Sequence, residues 1–140
     1  MKPIGLVPEF LVTDLKKSLN FYVGLLGFTV LYSREEKFVY IKKDNAEIML
    51  EQIGIGRNWV TKDLEYPLGR GTNFQIEVED VDLLHKILSK NSIPIFLQME
   101  EKWYRKNNLE VGNRQFCVQD PDGYLLRFYK DLGEKNVQDS

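Results

Sequence analysis

Ionisable and amide side chains interrupt several short apolar runs in this chain of 140 residues. A carboxyl group in such a run can act as a general acid or base, because a second carboxylate nearby raises one pKa towards neutrality. An arginine there is a permanent cation that pairs with a carboxylate of the protein or binds an anion. The residues of these types are Glu9, Glu47, Glu51, Gln75, Glu77 and Arg127.

Aromatic residues form a second candidate group, because Trp and Tyr present a flat apolar ring with a polar tip and stack on planar ligands. Trp59 and Trp103 stand in polar, charged surroundings, where core packing is the weaker explanation. They are the leading stacking candidates. Phe38 and Tyr40 are further candidates, although whichever of the two faces the helices has an ordinary core role.

Histidine and cysteine each occur once, which restricts metal and redox chemistry. A single histidine makes a histidine-rich metal centre impossible, and His85 in a helical segment is interpreted as structural. Cys117 has no partner for an internal disulfide and no histidine near it in sequence, so a small core residue is the preferred interpretation. No glycine-rich phosphate-binding motif is present.

The composition is that of a globular domain, with 43% hydrophobic residues, 29% charged residues and a net charge of −2. The mixed charge offers no basic stripe for nucleic acid, and no apolar run has the length of a membrane span. The first five residues lack the long apolar stretch of a signal peptide. Together with the single cysteine, these features predict a cytoplasmic protein.

The elements that carry the candidate residues occur in the order strand, helix, strand, strand, strand in the first half. Asp14 is a helix N-cap, Gly27 ends the helix and Asp44-Asn45 suits a tight hairpin turn. The expected strands cover 7–12, 28–33, 37–43 and 46–53, with the helix between the first two.

The second half repeats this order, with four β-like runs rather than three after its helix. Asp80 caps its helix at the position that matches Asp14, and Asp120-Pro121-Asp122-Gly123 predicts a turn before the last strand. The expected strands cover 73–79, 93–98, 102–106, 115–118 and 124–129. Two such units would pair their sheets, with both helices on one side and a concave wall on the other. The alternative is a coincidental match between two generic α+β segments.

We therefore expect a single domain followed by a short polar tail. A plain linker rarely needs a tryptophan, so the segment that contains Trp59 is expected to fold over the concave wall or over a partner subunit. The expected boundaries are 1–130 for the domain, 1–53 for module one, 54–70 for the linker, 71–130 for module two and 131–140 for a frayed tail.

The chain resembles the vicinal-oxygen-chelate superfamily, which groups glyoxalase I, extradiol dioxygenases, fosfomycin-resistance enzymes and bleomycin-resistance proteins. The resemblance covers residues 3–130, and 57–59, 101–105 and 114–116 are most similar to the bleomycin-resistance branch. The segments that carry it are Phe10 to Ser18, Phe21-Tyr22, Leu25 to Phe28, Asp120 to Tyr124 and Leu126-Arg127-Phe128.

The resemblance implies an α+β fold of two paired βαβββ modules that form a concave mixed sheet. It also implies a homodimer. In the bleomycin-resistance branch the N-terminal strand is swapped between subunits, and Pro8 stands near the expected hinge. The alternative for Pro8 is an ordinary proline of an edge strand.

Metal-dependent members of the superfamily place four ligands, mostly His and Glu, at inward-facing strand positions. Alignment with this chain puts these positions at Val7, Met49, Asn73 and Arg127. None is a good ligand for a catalytic divalent ion, and the arginine would oppose its charge. The resemblance therefore implies a cup that holds no metal, and no other cofactor is expected.

Alternation along the strands extends the inward face beyond these four positions. Arg127 then either forms an internal salt bridge with Glu9 or Glu51, filling the former metal site, or contacts a ligand. A substitute oxygen site for Mg²⁺ or Ca²⁺, built from Glu9, Glu47, Glu51 and Glu77, is the remaining metal alternative. The additional inward residues are Glu9, Glu51, Gln75, Glu77, Leu125 and Tyr129.

These inferences favour a metal-free small-molecule binding protein, with a bleomycin-like antibiotic as a candidate ligand. In bleomycin-resistance proteins, aromatic residues stack on the planar tail of the drug and acidic groups attract its cationic end. One alternative is a metal-independent, lyase-like or isomerase-like enzyme in which Arg127 steadies an anion. Another is a metal-dependent member with a rearranged site. The expected ligand-binding residues are Trp59, Trp103, Phe38, Tyr40, Glu9, Glu51, Gln75 and Arg127.

Overall fold

Two four-stranded mixed sheets organise the chain in the computed structural model, which describes residues 2, 4–56 and 58–137. Unit 1 comprises Met1–Gly71 and Asp120–Tyr124, and unit 2 comprises Thr72–Gln119 and Leu125–Ser140. The element order confirms the predicted α+β fold of two strand–helix–three-strand modules. The pairing of the two sheets into one concave wall stays a prediction.

Unit 1 contains sheet 1, in which the strand order is β1-β4-β3-β2. Strand β1 runs parallel to β4, and the other neighbours are antiparallel. The elements are β1 Glu9–Val12, α1 Leu15–Leu19, a π-helical segment Asn20–Leu25, β2 Thr29–Arg34, β3 Phe38–Lys43 and β4 Ala46–Gln52.

The first helix begins and ends where the sequence predicts, but its second half is wound more widely. The Asp14 carboxylate accepts hydrogen bonds from two backbone amides of the first turn, and Gly27 follows the helix with φ of 82°. The π-helical turns accommodate Phe21 and Tyr22, which are adjacent in sequence and both buried. Local side-chain spacing alone did not predict this widening.

The turn at residues 120–124 lies in unit 1, whereas the sequence placed it in module two. The Tyr124 ring stacks on Phe10 with centroids 4.3 Å apart. The Thr13 hydroxyl donates a 2.6 Å hydrogen bond to Asp122, and the Leu68 amide donates to the Asp122 carbonyl at 2.9 Å. These contacts explain why the turn packs with the first module.

Unit 2 contains sheet 2, in which the strand order is β5-β8-β7-β6 and only β5 and β8 are parallel. Asp80 caps the second helix by accepting a 3.0 Å hydrogen bond from the Leu83 amide, as predicted. The elements are β5 Asn73–Glu77, α2 Val81–Lys90, β6 Ile95–Lys106, β7 Leu109–Gln119 and β8 Leu125–Asn136.

The last three strands are longer than the sequence indicated. The runs 93–98 and 102–106 belong to the single strand β6, whose register shifts absorb the irregular side-chain pattern. Strand β8 continues to Asn136 because it pairs with β7 along almost its whole length, so a frayed tail starting at residue 131 is wrong for 131–136. Residues 138–140 of that tail, and Arg57, lie outside the described residues.

Each sheet has a helix face and a face turned away from the helix, which we call the far face. In sheet 1, Phe10 contacts Tyr22 of the π-helical segment, so Glu9 lies on the far face. In sheet 2, Phe116 meets His85 of α2 edge-on at 5.1 Å, so its neighbour Gln115 lies on the far face. No helix in the described part of the chain is long and apolar enough to cross a membrane.

Candidate functional site

The far face of sheet 1 brings together four of the predicted site residues. Strand pairing places Glu9 beside Met49, and Met49 beside Tyr40. The pairing of β3 with β4 also places Phe38 beside Glu51. Phe38 and Tyr40 are two residues apart, so both are on the far face, and the expectation that one of them faces the helices is wrong.

The two carboxyl groups on this face interact directly. Burial raises the pKa of Glu9, and the charge of Glu51 raises it further. A hydrogen bond between the two side chains also favours the protonated form, whereas the guanidinium of Arg34 lowers the pKa. The pKa of Glu9 is therefore raised by its carboxyl neighbour, and a cation bound beside it would lower that pKa.

Aromatic rings form a platform beside this pair. Tyr32 and Tyr40 are stacked with centroids 5.1 Å apart and an interplanar angle of 22°. The Arg34 guanidinium lies 4.3 Å from the centre of the Phe38 ring. Tyr32 and Arg34 were not predicted as site residues, although the period of strand β2 places them on one face and could have identified them.

A second carboxylate contact fixes the platform at Tyr40. The Tyr40 hydroxyl donates a 2.6 Å hydrogen bond to Glu47 Oε1. This hydrogen bond, followed by burial and the charge of Glu47, raises the pKa of Tyr40 to about 12. The phenol is therefore held neutral and in one orientation, which does not suit a nucleophile or base, and Tyr40 itself is only 3% exposed.

The far face of sheet 2 holds the other predicted polar residues. Arg127 Nη2 donates a 2.8 Å hydrogen bond to Gln75 Oε1. On the neighbouring strand, the Gln115 amide donates to Tyr104 Oη at 2.6 Å and to Glu100 at 2.9 Å. The predicted salt bridge between Arg127 and Glu9 or Glu51 stays a prediction.

A cavity of about 470 Å³ opens on this far face. Its walls are polar, and they include Gln75 and Arg127, which the sequence had placed in one site. The sequence placed Tyr104 on or beside the concave wall but not among the expected ligand-binding residues, and it did not single out Asn113. Tyr104 is four residues after Glu100, which pairs with Gln115, so the alternation of side chains along β6 could have placed Tyr104 on the same face. The lining residues are Gln75, Tyr104, Lys106, Val111, Asn113, Arg127, Tyr129, Asp131 and Glu134.

The two tryptophans are not in this cavity. Trp103 pairs with Gly112 on β7, on the face opposite to Tyr104, and its ring lies 4.1 Å from Lys135 Nζ. The structure therefore separates Trp103 from Arg127, contrary to the sequence expectation. Trp59 is 70% exposed in the segment that follows sheet 1.

The four positions of the metal ligands carry no suitable set of donors. Val7 precedes β1, Met49 and Arg127 lie on far faces, and Asn73 begins β5. A thioether, an amide and a guanidinium do not make a site for a catalytic divalent ion. Within residues 2, 4–56 and 58–137, no group of three or more His, Cys, Asp or Glu side chains is placed to hold one.

The two βαβββ modules, each with a helix face and a far face, indicate the class of protein. This chain belongs to the Glyoxalase/Bleomycin resistance protein/Dioxygenase superfamily, whose family model matches residues 7–128. The match covers both units, so the resemblance stated from sequence is confirmed.

Named relatives and a solved structure agree with this assignment. The chain is 26% identical to a bleomycin resistance protein of Geobacillus stearothermophilus over 140 residues, covering 90% of this chain and 96% of the relative. It is 29% identical to the uncharacterized protein YraH of Bacillus subtilis, covering 89% and 95%. The crystal structure of TioX from Micromonospora sp. ML1 has the same fold, with a TM-score of 0.71, 20% identity and coverage of 91% and 98%.

Proposed function

We propose that this chain is a metal-independent small-molecule binding protein whose ligand is a cation with a planar ring. The observation that carries the proposal is the far face of sheet 1, where a coupled carboxyl pair adjoins an aromatic platform. A bleomycin-like antibiotic is the first ligand to test, because relatives of similar length are named bleomycin resistance proteins. In this role the protein would sequester the drug.

The carboxyl pair supplies the attraction for the cationic part of the ligand. Glu51 is buried, and the pKa of Glu9 is raised because the two groups are close together. A cation bound beside them would lower the pKa of Glu9, so binding would release protons in the pH range where Glu9 titrates. Added salt would weaken this attraction less than for an exposed pair.

Tyr32 supplies the surface for the planar part, because it is 39% exposed and stacks on the buried Tyr40. The Tyr32 and Tyr40 rings are stacked, and Arg34 lies over Phe38 as a ligand cation or planar group could. A ligand cation that displaced Arg34 would take over the charge that lowers the pKa of Glu9. The platform and the carboxyl pair thus favour the same ligand chemistry.

Isothermal titration calorimetry of the full chain with bleomycin tests this proposal. We expect saturable binding with proton release, and a loss in Glu51→Gln of roughly tenfold in affinity, since hydrogen bonds to charged groups contribute about 1.5–3 kcal/mol. Glu79→Gln, at an exposed carboxylate of unit 2, is the matched control. An absence of saturable heat at micromolar drug would exclude the bleomycin assignment. Equal affinities in the two variants would exclude the carboxyl pair as the site.

Metal independence has its own test. We expect elemental analysis of protein purified without chelator to find no stoichiometric metal, and dialysis against a chelator to leave the affinity unchanged. A stoichiometric metal whose removal abolishes binding would contradict the proposal. It would restore the alternative of a rearranged metal site.

A second candidate function is metal-independent catalysis, which the raised pKa of Glu9 favours. A carboxyl group that titrates closer to neutrality can exchange protons with a substrate. The hemithioacetal of methylglyoxal and glutathione is a convenient probe substrate for this superfamily. Turnover that persists in chelator and disappears in Glu51→Gln would support an enzyme, and no turnover in the wild type would dismiss this reaction.

We further propose that the protein is a cytoplasmic homodimer, on the basis of the family resemblance. Sedimentation equilibrium over a range of concentrations measures the assembly state, and a monomer at all concentrations would contradict it. The carbonyl of Pro8 accepts a 2.9 Å hydrogen bond from the Met49 amide just before β1. A hinge at Pro8 for strand exchange stays a prediction.

A further inference from the structure

We infer that the cavity on the far face of sheet 2 binds the carboxylate group of a small organic acid through Arg127. This inference uses residues of unit 2 alone, so it does not depend on the proposed cation site. The cavity of about 470 Å³ is large enough for an aromatic acid, and the side chains of Tyr104 and Tyr129 line it.

The guanidinium of Arg127 has no ion-pair partner among the residues that the structure describes. Its hydrogen bond goes to the neutral amide of Gln75 at 2.8 Å. Arg127 Nε is buried and has no hydrogen-bond partner within the described chain. A guanidinium binds a carboxylate through two parallel N–H donors, so an acid would satisfy a donor that the protein leaves unpaired.

The neighbouring strand provides further polar groups with spare capacity. Gln115 is 2% exposed, and its Oε1 accepts no hydrogen bond from any described residue. Its Nε2 donates to Tyr104 Oη at 2.6 Å. The Tyr104 hydroxyl proton is therefore directed away from Gln115 and is available to a ligand in the cavity.

The remaining charges in the cavity limit the ligand to a single negative charge. Lys106 and Glu134 form an ion pair at 3.3 Å, which neutralises both. The carboxylate of Asp131 accepts a 2.7 Å hydrogen bond from the Gly133 amide and has no cationic partner among the ion pairs of the described residues. Arg127 thus attracts one carboxylate, whereas Asp131 repels a dianion, and a monocarboxylate is favoured over phosphate.

Titration with benzoate, followed by amide chemical shifts in two-dimensional nuclear magnetic resonance spectra, tests the inference. We expect saturable shifts on β7 and β8, and smaller or no shifts with the neutral analogue benzamide and with inorganic phosphate. Arg127→Gln should weaken benzoate binding by roughly tenfold or more, the effect expected for a charge-assisted pair. Arg105→Gln, at an exposed arginine of β6 on the opposite face, should bind benzoate as the wild type does.

Two further variants keep the test decisive. Gln75→Glu places a carboxylate next to Arg127, so it should compete with benzoate even where Arg127→Gln fails to fold. Glu9→Gln should leave benzoate binding unchanged, which separates this site from the cation site. Equal shifts with benzoate and benzamide, or tighter binding of phosphate, would overturn the inference. Benzoate binding that appears only in Glu9→Gln or Glu51→Gln would also overturn it, because Arg127 would then be paired with a protein carboxylate.

Discussion

The Tyr22 hydroxyl donates a 2.7 Å hydrogen bond to Asp120 Oδ2 across 98 residues of sequence. Tyr22 is 0% exposed and Asp120 is 3% exposed, so water cannot replace this bond. The same carboxylate accepts hydrogen bonds from the amides of Asp122 at 2.9 Å and Tyr124 at 3.0 Å. One buried side chain thus fixes the turn at 120–124 and attaches it to the first helical segment.

Replacement of this phenol should destabilise the fold. Tyr22→Phe keeps the ring packing but removes the hydrogen-bond donor, so we expect the free energy of unfolding to be about 1–3 kcal/mol lower than in the wild type. Urea unfolding measures the difference. Tyr66→Phe, which removes a hydroxyl from a tyrosine that is largely exposed, should change the stability little. Equal stabilities of the two variants would show that the buried hydrogen bond contributes nothing.

Asp120 should also give the stability a pH dependence of defined sign. Burial raises the pKa of Asp120 to about 6, despite its hydrogen bonds. Between the ordinary value of about 4 and this value, the folded state keeps a proton that the unfolded state has lost, so stability decreases as pH rises, by about 2–3 kcal/mol in total. Unfolding free energies across this range measure the slope.

Asp120→Asn supplies the control for this slope, because Glu9 has a pKa shifted in the same direction. The variant should lose the part of the pH dependence that Asp120 causes and keep the part from Glu9. A slope identical to that of the wild type would mean that Asp120 titrates near its ordinary pKa in the folded protein.

The pKa of Tyr40 should respond to Glu47. The substitution Glu47→Gln removes the carboxylate that accepts the hydrogen bond of the Tyr40 hydroxyl. It also removes the negative charge that disfavours the phenolate form of Tyr40. We expect the pKa of Tyr40 to fall from about 12 towards the ordinary value near 10, while burial keeps it somewhat higher. Ultraviolet titration with Tyr40→Phe as the reference isolates this phenol. An unchanged pKa would indicate that burial alone raises it.

Trp103 and Gly112 should show a strong coupling. A Cβ atom on Gly112 would lie 2.7 Å from Cη2 and Cζ3 of the Trp103 ring. Gly112→Ala should therefore destabilise the protein by about 1–3 kcal/mol through overpacking. In a Trp103→Leu background the same substitution should cost much less. A double-mutant cycle measures the difference, and additive effects would contradict the close packing of ring and backbone.

The sequence predicted the first residues of the helices and the positions of the tight turns well, because a single side chain determines each of them. Asp14 and Asp80 cap the two helices, and Asp44 adopts a φ of 51° in the hairpin that joins β3 and β4. A cap or a tight turn depends on the local backbone, so local sequence contains the information. The far face of sheet 1 also followed from strand alternation, which placed Glu9 and Glu51 together.

The features that the sequence missed depend on contacts between distant residues. The extension of β8 to Asn136 requires β7 as a partner, because its own residues are polar. Trp103 and Tyr104 are adjacent, so only the register with β7 decides which of them lies beside Gln115. The sequence favoured Trp103 over Tyr104, whereas Tyr104 is the residue on the cavity side of β6. A residue type that favours stacking does not determine the face of a strand.

The turn at 120–124 also determines how the chain can be divided. A gene fragment that encodes residues 1–71 would contain every strand of sheet 1 but not the ring of Tyr124 that stacks on Phe10, nor the buried carboxylate of Asp120. The first repeat is therefore completed by five residues that follow most of the second. The two halves share the same order of strands and helix, but one cannot replace the other. Recombination at the linker would separate the first half from the residues of the 120–124 turn that complete its core.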